Sequence, residues 1–259
     1  EAAAAAKTVL ALQAVTSAPL QIDTSDYATM ERALRLYNGK PLLNSVSGKE
    51  EALAQVLPLA KKYGAVVVGL ALDDAGIPAT ASGRLAVAEK ILARAAEYGI
   101  EKRNIIIDPL ALTISTGPDN AAVDLEVIRA LSAQKVKTIM GVSNISFGLP
   151  LRDAVNSIFL ALAMEAGLSC AIINPQSRAM LDTYYAYRAL KGLDAGCKAY
   201  VRRFADAGAQ VPAAKVSEYT LHDAIVKGLQ EQSRLAVTKL LETEKPLDII
   251  NTQMIPALD

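Results

Sequence analysis

Lys137-Thr138-Ile139-Met140-Gly141-Val142-Ser143-Asn144-Ile145-Ser146-Phe147-Gly148-Leu149-Pro150 is the stretch on which the reading of the fold turns. Its first part, Thr138 to Val142, is β-branched and apolar and predicts a buried strand. The run then breaks into Ser-Asn-Ile-Ser and Gly-Leu-Pro, turn residues of the kind that precede a new helix. A strand that stops on Asn144 presents a donor and an acceptor together at a sheet edge. Three more apolar runs stop in the same way: Leu20-Gln21-Ile22-Asp23-Thr24, Pro41-Leu42-Leu43-Asn44-Ser45 and Ile105-Ile106-Ile107-Asp108-Pro109. Strands that each end on Asp or Asn predict a ring of polar groups at one face of a sheet, and that ring is the candidate site.

Helical patterns separate these strands. An Ala-rich helix over 1–16 comes first, with no strand before it. Helices follow at about 27–37, 50–63, 82–98, 122–132 and 152–166, several closed by Gly or Asn-Gly. Further strands are expected at Val66–Leu72 and Ser169–Asn174, and a long helical stretch at Arg178–Ala205. Repeated βα units of this size imply a parallel sheet with right-handed crossovers. The expected class is α/β, of the (β/α)8 TIM-barrel type. Six strands fall two short of the eight that a closed barrel needs, so an incomplete barrel is expected over 1–206, truncated at its N-terminus. A linker at 207–216 and the start of a helical cap at 217–259 follow. In that cap one helix is expected from Ser217 to Leu241. A second follows Pro246, with Ile249, Ile250, Met254 and Ile255 lacking a partner.

Composition narrows the function. Lys plus Arg and Asp plus Glu are balanced at 27 each, which argues against broad capture of nucleic acid or of an anionic membrane. No apolar run approaches the ~18–20 residues that span a bilayer. The opening Glu-Ala-Ala-Ala-Ala-Ala-Lys is not a secretion signal. Cys170 and Cys197 are isolated and His222 is the single histidine, so neither a disulfide framework nor a metal site is expected, and a cytoplasmic protein is.

Ligands of parallel α/β folds sit at the carboxyl ends of the strands. There Asp23, Asn44, Asp108 and Asn144 would converge: two carboxylates and two carboxamides with few cations nearby. That set does not suit a phosphate. It suits a neutral heterocycle rich in N–H donors, such as a pterin, whose pyrimidine edge one carboxylate can accept in a bidentate way. Each residue also has a plain structural role open to it. Asp23 or Asp26 can cap the next helix, Asn44-Ser45 can be a turn and cap, and Asp108-Pro109 can start a loop. Arg152, Asp153 and Arg178 read as solvated charges, and Met164, Met180 and Met254 as core filler.

At these strand ends the sequence resembles the pterin-binding methyltransferases, which include the folate domain of cobalamin-dependent methionine synthase and the methyltetrahydrofolate–corrinoid/iron–sulfur protein methyltransferase. Ile22-Asp23-Thr24, Asn44-Ser45, Ile107-Asp108-Pro109-Leu110 and Gly141-Val142-Ser143-Asn144-Ile145-Ser146-Phe147-Gly148 carry the likeness. The resemblance implies a cytoplasmic enzyme of one-carbon metabolism and methionine biosynthesis, with methyltetrahydrofolate as methyl-donor substrate. Asp23, Asn44, Asp108, Ser143 and Asn144 would line the pterin pocket, with Asn144 at or near N5 as the catalytic residue. The acceptor would be cobalamin, or another corrinoid, held by a partner domain or protein. His222 does not match the Asp-x-His-x-x-Gly pattern of a cobalt ligand, which places that cofactor outside this chain. Such a truncated barrel would bind folate poorly by itself and be inactive alone. The alternatives are a non-catalytic folate-binding module and a dihydropteroate synthase-like enzyme. The latter normally carries basic residues after its Asp-Pro-Gly loop and where Val142-Ser143-Asn144 stands here.

Overall fold

The computed structural model describes residues 2–205 and 220–257. The chain divides into two compact units, residues 1–196 and 197–259. The first unit alternates helix and strand: α1 (Ala2–Val15), β1 (Gln21–Asp23), α2 (Tyr27–Leu36), β2 (Leu42–Ser47), α3 (Glu50–Tyr63), β3 (Val66–Leu70), α4 (Ala81–Glu97), β4 (Ile105–Asp108), α5 (Asn120–Ala133), β5 (Lys137–Gly141), α6 (Arg152–Ala166), β6 (Cys170–Ile172) and α7 (Arg178–Leu190). All six strands are parallel and stand in the order β1 to β6. Every crossover carries a helix, as parallel neighbours require. Six consecutive barrel strands with open outer edges are what the strand count predicts.

Local chemistry sets the element ends. Asp26 caps α2 by accepting from Thr29 N at 3.0 Å, and Thr80 and Ser177 do the same for α4 and α7. Gly64 ends α3 and Gly167 ends α6, both left-handed, the conformation in which a Cβ is penalised.

Alternation along the strands divides their residues between two faces. Ile22, Leu43, Val67, Ile105 and Ile107 point to the helices and pack with Met30, Leu34, Leu57 and Ile91 in one core. Met140 does so with Ile128, Phe159 and Leu160 in a second core. The residues between them, among them Asp23, Asn44, Ile106 and Asp108, lie on the face that carries no helix.

Two helical expectations are corrected. The stretch expected to be helical from Arg178 to Ala205 breaks at Gly192, Gly196 and Cys197, all at positive φ, and resumes as α8 (Lys198–Phe204). The division between the two compact units falls within this break. The expected linker at 207–216 lies outside the described residues. In the second unit the helix expected from Ser217 to Leu241 is two helices, α9 (Leu221–Val226) and α10 (Gln230–Leu240). They are separated at Gly228, whose φ of 65° no continuous helix accommodates. α11 (Pro246–Ile249) follows and continues in wider and tighter turns to Ala257. Ile249, expected to lack a partner, is buried, as are Leu221 and Ala224, whereas Ile250 and Ile255 are exposed.

Candidate functional site

β1 and β2 pair with Asp23 opposite Asn44. In a parallel ladder such partners stand about 4.8 Å apart with side chains on the same face. Asn44 in turn pairs with Val68, and Val68 with Ile106. Asp108 therefore lies on that face too, two strands away and two residues nearer the carboxyl ends. Asn44 also sits where β2 shifts register, at a cis Asn44–Ser45 peptide. The Thr24 amide donates to the Asn44 carbonyl at 3.2 Å, tying the two strand ends together.

Asn144 arrives by a different route. β5 stops at Gly141, and Val142–Ser146 form a 3-10 turn. That turn folds the amide back over the strand end: a Cβ built on Gly141 would lie 3.2 Å from Asn144 Nδ2. In β5, Met140 faces the helices, so its neighbour Gly141 faces the helix-free side. The Asn144 amide thus overhangs the same face as Asp23, Asn44 and Asp108. Ser143 is half-buried and contributes through its carbonyl, which accepts from Arg152 Nη2 at 2.7 Å and from Ser146 Oγ at 3.3 Å.

The structural roles weighed against these residues resolve unequally. Asp26, and not Asp23, caps α2, leaving the Asp23 carboxylate exposed on the rim. Asn44 does not cap α3, whose N-cap, Lys49, makes no side-chain cap. Asp108 does start its loop, since Oδ1 accepts from Leu110 N at 2.7 Å, and its other oxygen is left over. Burial pushes the Asp108 carboxyl up to about 6, against the pull of the Leu110 N–H and the Arg84 charge. The Asn44 and Asn144 amides have no side-chain hydrogen bond among the described residues. Such groups on an open face are available to a ligand.

Arg152, read from sequence as a solvated charge, is a brace for this turn. Besides Ser143 it donates from Nε to Ser146 Oγ at 3.0 Å, and its guanidinium lies 5.9 Å from the Phe147 ring centre. From the other side Thr113 and Ser115 donate to the Phe147 carbonyl at 2.7 and 3.1 Å. The Ile114 amide donates to the Ile145 carbonyl at 3.0 Å. Spacing along the chain could not have shown these contacts, because the partners come from the loop after β4. Gly141→Ala tests the arrangement. Its φ of −74° suits any residue, so the backbone tolerates the change, but the added methyl crowds the Asn144 amide. The expected result is near-wild-type thermal stability with a displaced Asn144 side chain in a crystal structure of the variant.

Residues 1–174 match the family model described as pterin binding enzyme. The chain belongs to that family. Among curated relatives of this pterin-binding enzyme, the Eubacterium limosum methylcorrinoid:tetrahydrofolate methyltransferase is 31% identical over 198 residues, covering 74% of the chain and 73% of the relative. Methionine synthase of Mycobacterium tuberculosis is 34% identical over 170 residues, 60% of the chain. That of Mycobacterium leprae is 33% identical over 177 residues. The chain spans only 14% and 15% of those two synthases. Dihydropteroate synthases of Yersinia pestis and Vibrio fischeri share the fold, each with a TM-score of 0.58 over 72% of this chain, at 17% and 16% identity. They cover 78% and 73% of their own lengths. In this pterin-binding enzyme no described helix is long and apolar enough to cross a membrane, and Cys170 and Cys197 are free thiols.

Proposed function

We propose that this chain binds methyltetrahydrofolate at the helix-free face of its sheet and serves the transfer of the N5 methyl group to a corrinoid carried by a partner domain or protein. The observation that carries this reading is the set of polar groups at the strand ends: two carboxylates and two amides on one face. A pterin edge matches such a set, whereas a phosphate would demand cations or helix N-termini. The likeness to a methylcorrinoid:tetrahydrofolate methyltransferase over most of that relative's length supports methyl exchange between a folate and a corrinoid, although that relative's name gives the transfer in the opposite direction. The dihydropteroate synthases support only the fold, at under 20% identity.

Each residue then has a task. Asp108 accepts the N–H edge of the pyrimidine ring with its free oxygen. Asp23 and Asn44, side by side on β1 and β2, complete the outline of the ring. Asn144 hydrogen-bonds at N5. As the N5–CH3 bond breaks, its electron pair stays on nitrogen, and N5 must take up a proton or a stronger hydrogen bond. Asn144, held by the braced turn, strengthens its contact as that charge develops, so it favours the transition state over the bound substrate. The proton itself comes through water, since an amide is no general acid. The corrinoid, when docked, supplies the nucleophile that accepts the methyl group. His222 lies outside the Asp-x-His-x-x-Gly pattern of a cobalt ligand, so a partner would bring that group.

Mixing the full-length protein with methyltetrahydrofolate and reduced cobalamin, and following the cobalamin spectrum together with tetrahydrofolate release, tests the proposal. Stoichiometric methyl transfer is expected. Folate binding without transfer would leave a non-catalytic folate module in its place.

A further inference from the structure

Arg84 lies in the first turn of α4 and is fully buried. At that position its charge faces the positive end of the helix dipole, so helix stability does not account for it. Apolar packing does not account for it either, because a buried guanidinium requires partners for its rigid fork of donors. Those partners come from three other segments. Nε donates to the Pro78 carbonyl, in the loop after β3, at 3.0 Å. Nη1 donates to the carbonyls of Pro109 and Leu110, in the loop after β4, at 2.9 and 3.1 Å. It also pairs with the carboxylate of Asp124 on α5, which is equally buried.

The two carbonyls of the β4 loop belong to the turn that presents Asp108. Leu110 sits at a φ of 67°, a region that disfavours a side chain with a Cβ. Its amide nevertheless stays on Asp108 Oδ1 at 2.7 Å. A turn in that conformation persists only where its surroundings over-determine it, and Arg84 supplies two of the contacts that do so. The pair is incomplete as well: Arg84 Nη2 and Asp124 Oδ2 are buried without a hydrogen-bond partner. An ion pair that leaves two polar atoms unmet is a poor device for stability alone.

We propose that Arg84, anchored by Asp124, is a positioning residue for pterin binding. It holds the Asp108–Leu110 turn so that the second carboxylate oxygen of Asp108 stays aimed at the ligand, and it links that turn to the loop after β3. This rests on the reading of Asp108 as the acceptor of the pterin N–H edge. The Arg84 charge also opposes the effect of burial on Asp108, so orientation and ionisation act together.

The test is a double-mutant cycle for methyltetrahydrofolate affinity on the full-length protein, with Arg84→Lys, Asp108→Ala and the two combined. Lysine keeps the charge and loses the fork. Arg84→Lys is expected to raise Kd about 10- to 100-fold, the range for a lost hydrogen bond that involves a charge. At saturating substrate its kcat should stay within about threefold, because Asn144 is untouched. In the Asp108→Ala background the same change should alter Kd by less than about threefold. Wild-type affinity in folded Arg84→Lys, or a full additive loss in the double variant, overturns the assignment. Should Arg84→Lys fail to fold, Asp124→Leu, which removes the oxygen that anchors Nη1 and keeps most of the side-chain volume, gives the same comparison with the same two overturning results. Absence of binding by the wild-type protein strikes instead at the folate reading itself.

Discussion

Asn144→Ala is expected to slow methyl transfer about 100- to 1,000-fold in single-turnover experiments and to leave methyltetrahydrofolate affinity within about fivefold of wild type. The magnitude is that of removing one preorganised donor from a site where charge develops during reaction. The split between rate and affinity follows from the geometry. The amide is neutral, lies over Gly141 and belongs to a 3-10 turn fixed by Arg152, Thr113 and Ser115. On the proposed function, holding bound substrate would be work for the carboxylates, whereas N5 would need the amide most as the methyl group leaves. Rapid-mixing rates compared with equilibrium Kd values provide the check. Equal losses in both would make Asn144 an ordinary binding residue.

Asp108→Ala should show the opposite pattern. One oxygen of Asp108 is held by the Leu110 amide, so the carboxylate offers its free oxygen to the ligand, and losing that charge-assisted bond should weaken folate binding about 10- to 100-fold. Unchanged affinity would remove Asp108 from the pocket. The wild-type protein should also reveal this group through pH. Burial raises the Asp108 carboxyl to about 6, and only the ionised form would accept the ligand. Affinity should therefore be full above about pH 7 and fall through pH 6, approaching about tenfold per unit below it. Asp108→Asn should lack that acid limb, and titrating it in parallel corrects for protonation of the ligand. Stability has the reverse sign. The folded protein keeps a proton on Asp108 that the unfolded chain releases near its ordinary value of 3.8. The contribution of this residue to stability thus declines as pH rises from about 4 to about 6. Asp124, pushed by burial to about 7 with Arg84 opposing, acts in the same direction up to about pH 7.

Much of this molecule was legible before any coordinates. Alternation of β-branched runs with Gly-terminated helices identified all six strands in order, because a buried parallel strand and an amphipathic helix leave distinct periods in the chain. Ile22-Asp23, Leu43-Asn44 and Ile107-Asp108 marked the strand ends because an Asp or Asn after an apolar run is conspicuous. Sequence pattern and structure part where one residue decides. Gly192, Gly196 and Gly228 each end a helix that composition alone would continue, and propensity is too weak a guide to show which glycine takes a positive φ. Asp23 and Asp26 are equivalent as caps on paper. Only the bond from Thr29 N to Asp26 freed Asp23 for the rim.

What the chain by itself determined is therefore the element order, the parallel sheet and the chemistry of its rim, since each follows from contacts between near neighbours in sequence. The tertiary structure alone decided how those groups are held. Arg152 became a brace, Arg84 and Asp124 became a buried pair behind Asp108, and Thr113 reached across to the turn carrying Asn144. Those contacts join residues 25 to 40 positions apart, or depend on a turn closing back on itself, and no local period encodes them. A charged side chain has the same spelling whether it lies in water or in the core, and only the fold assigns it its partners.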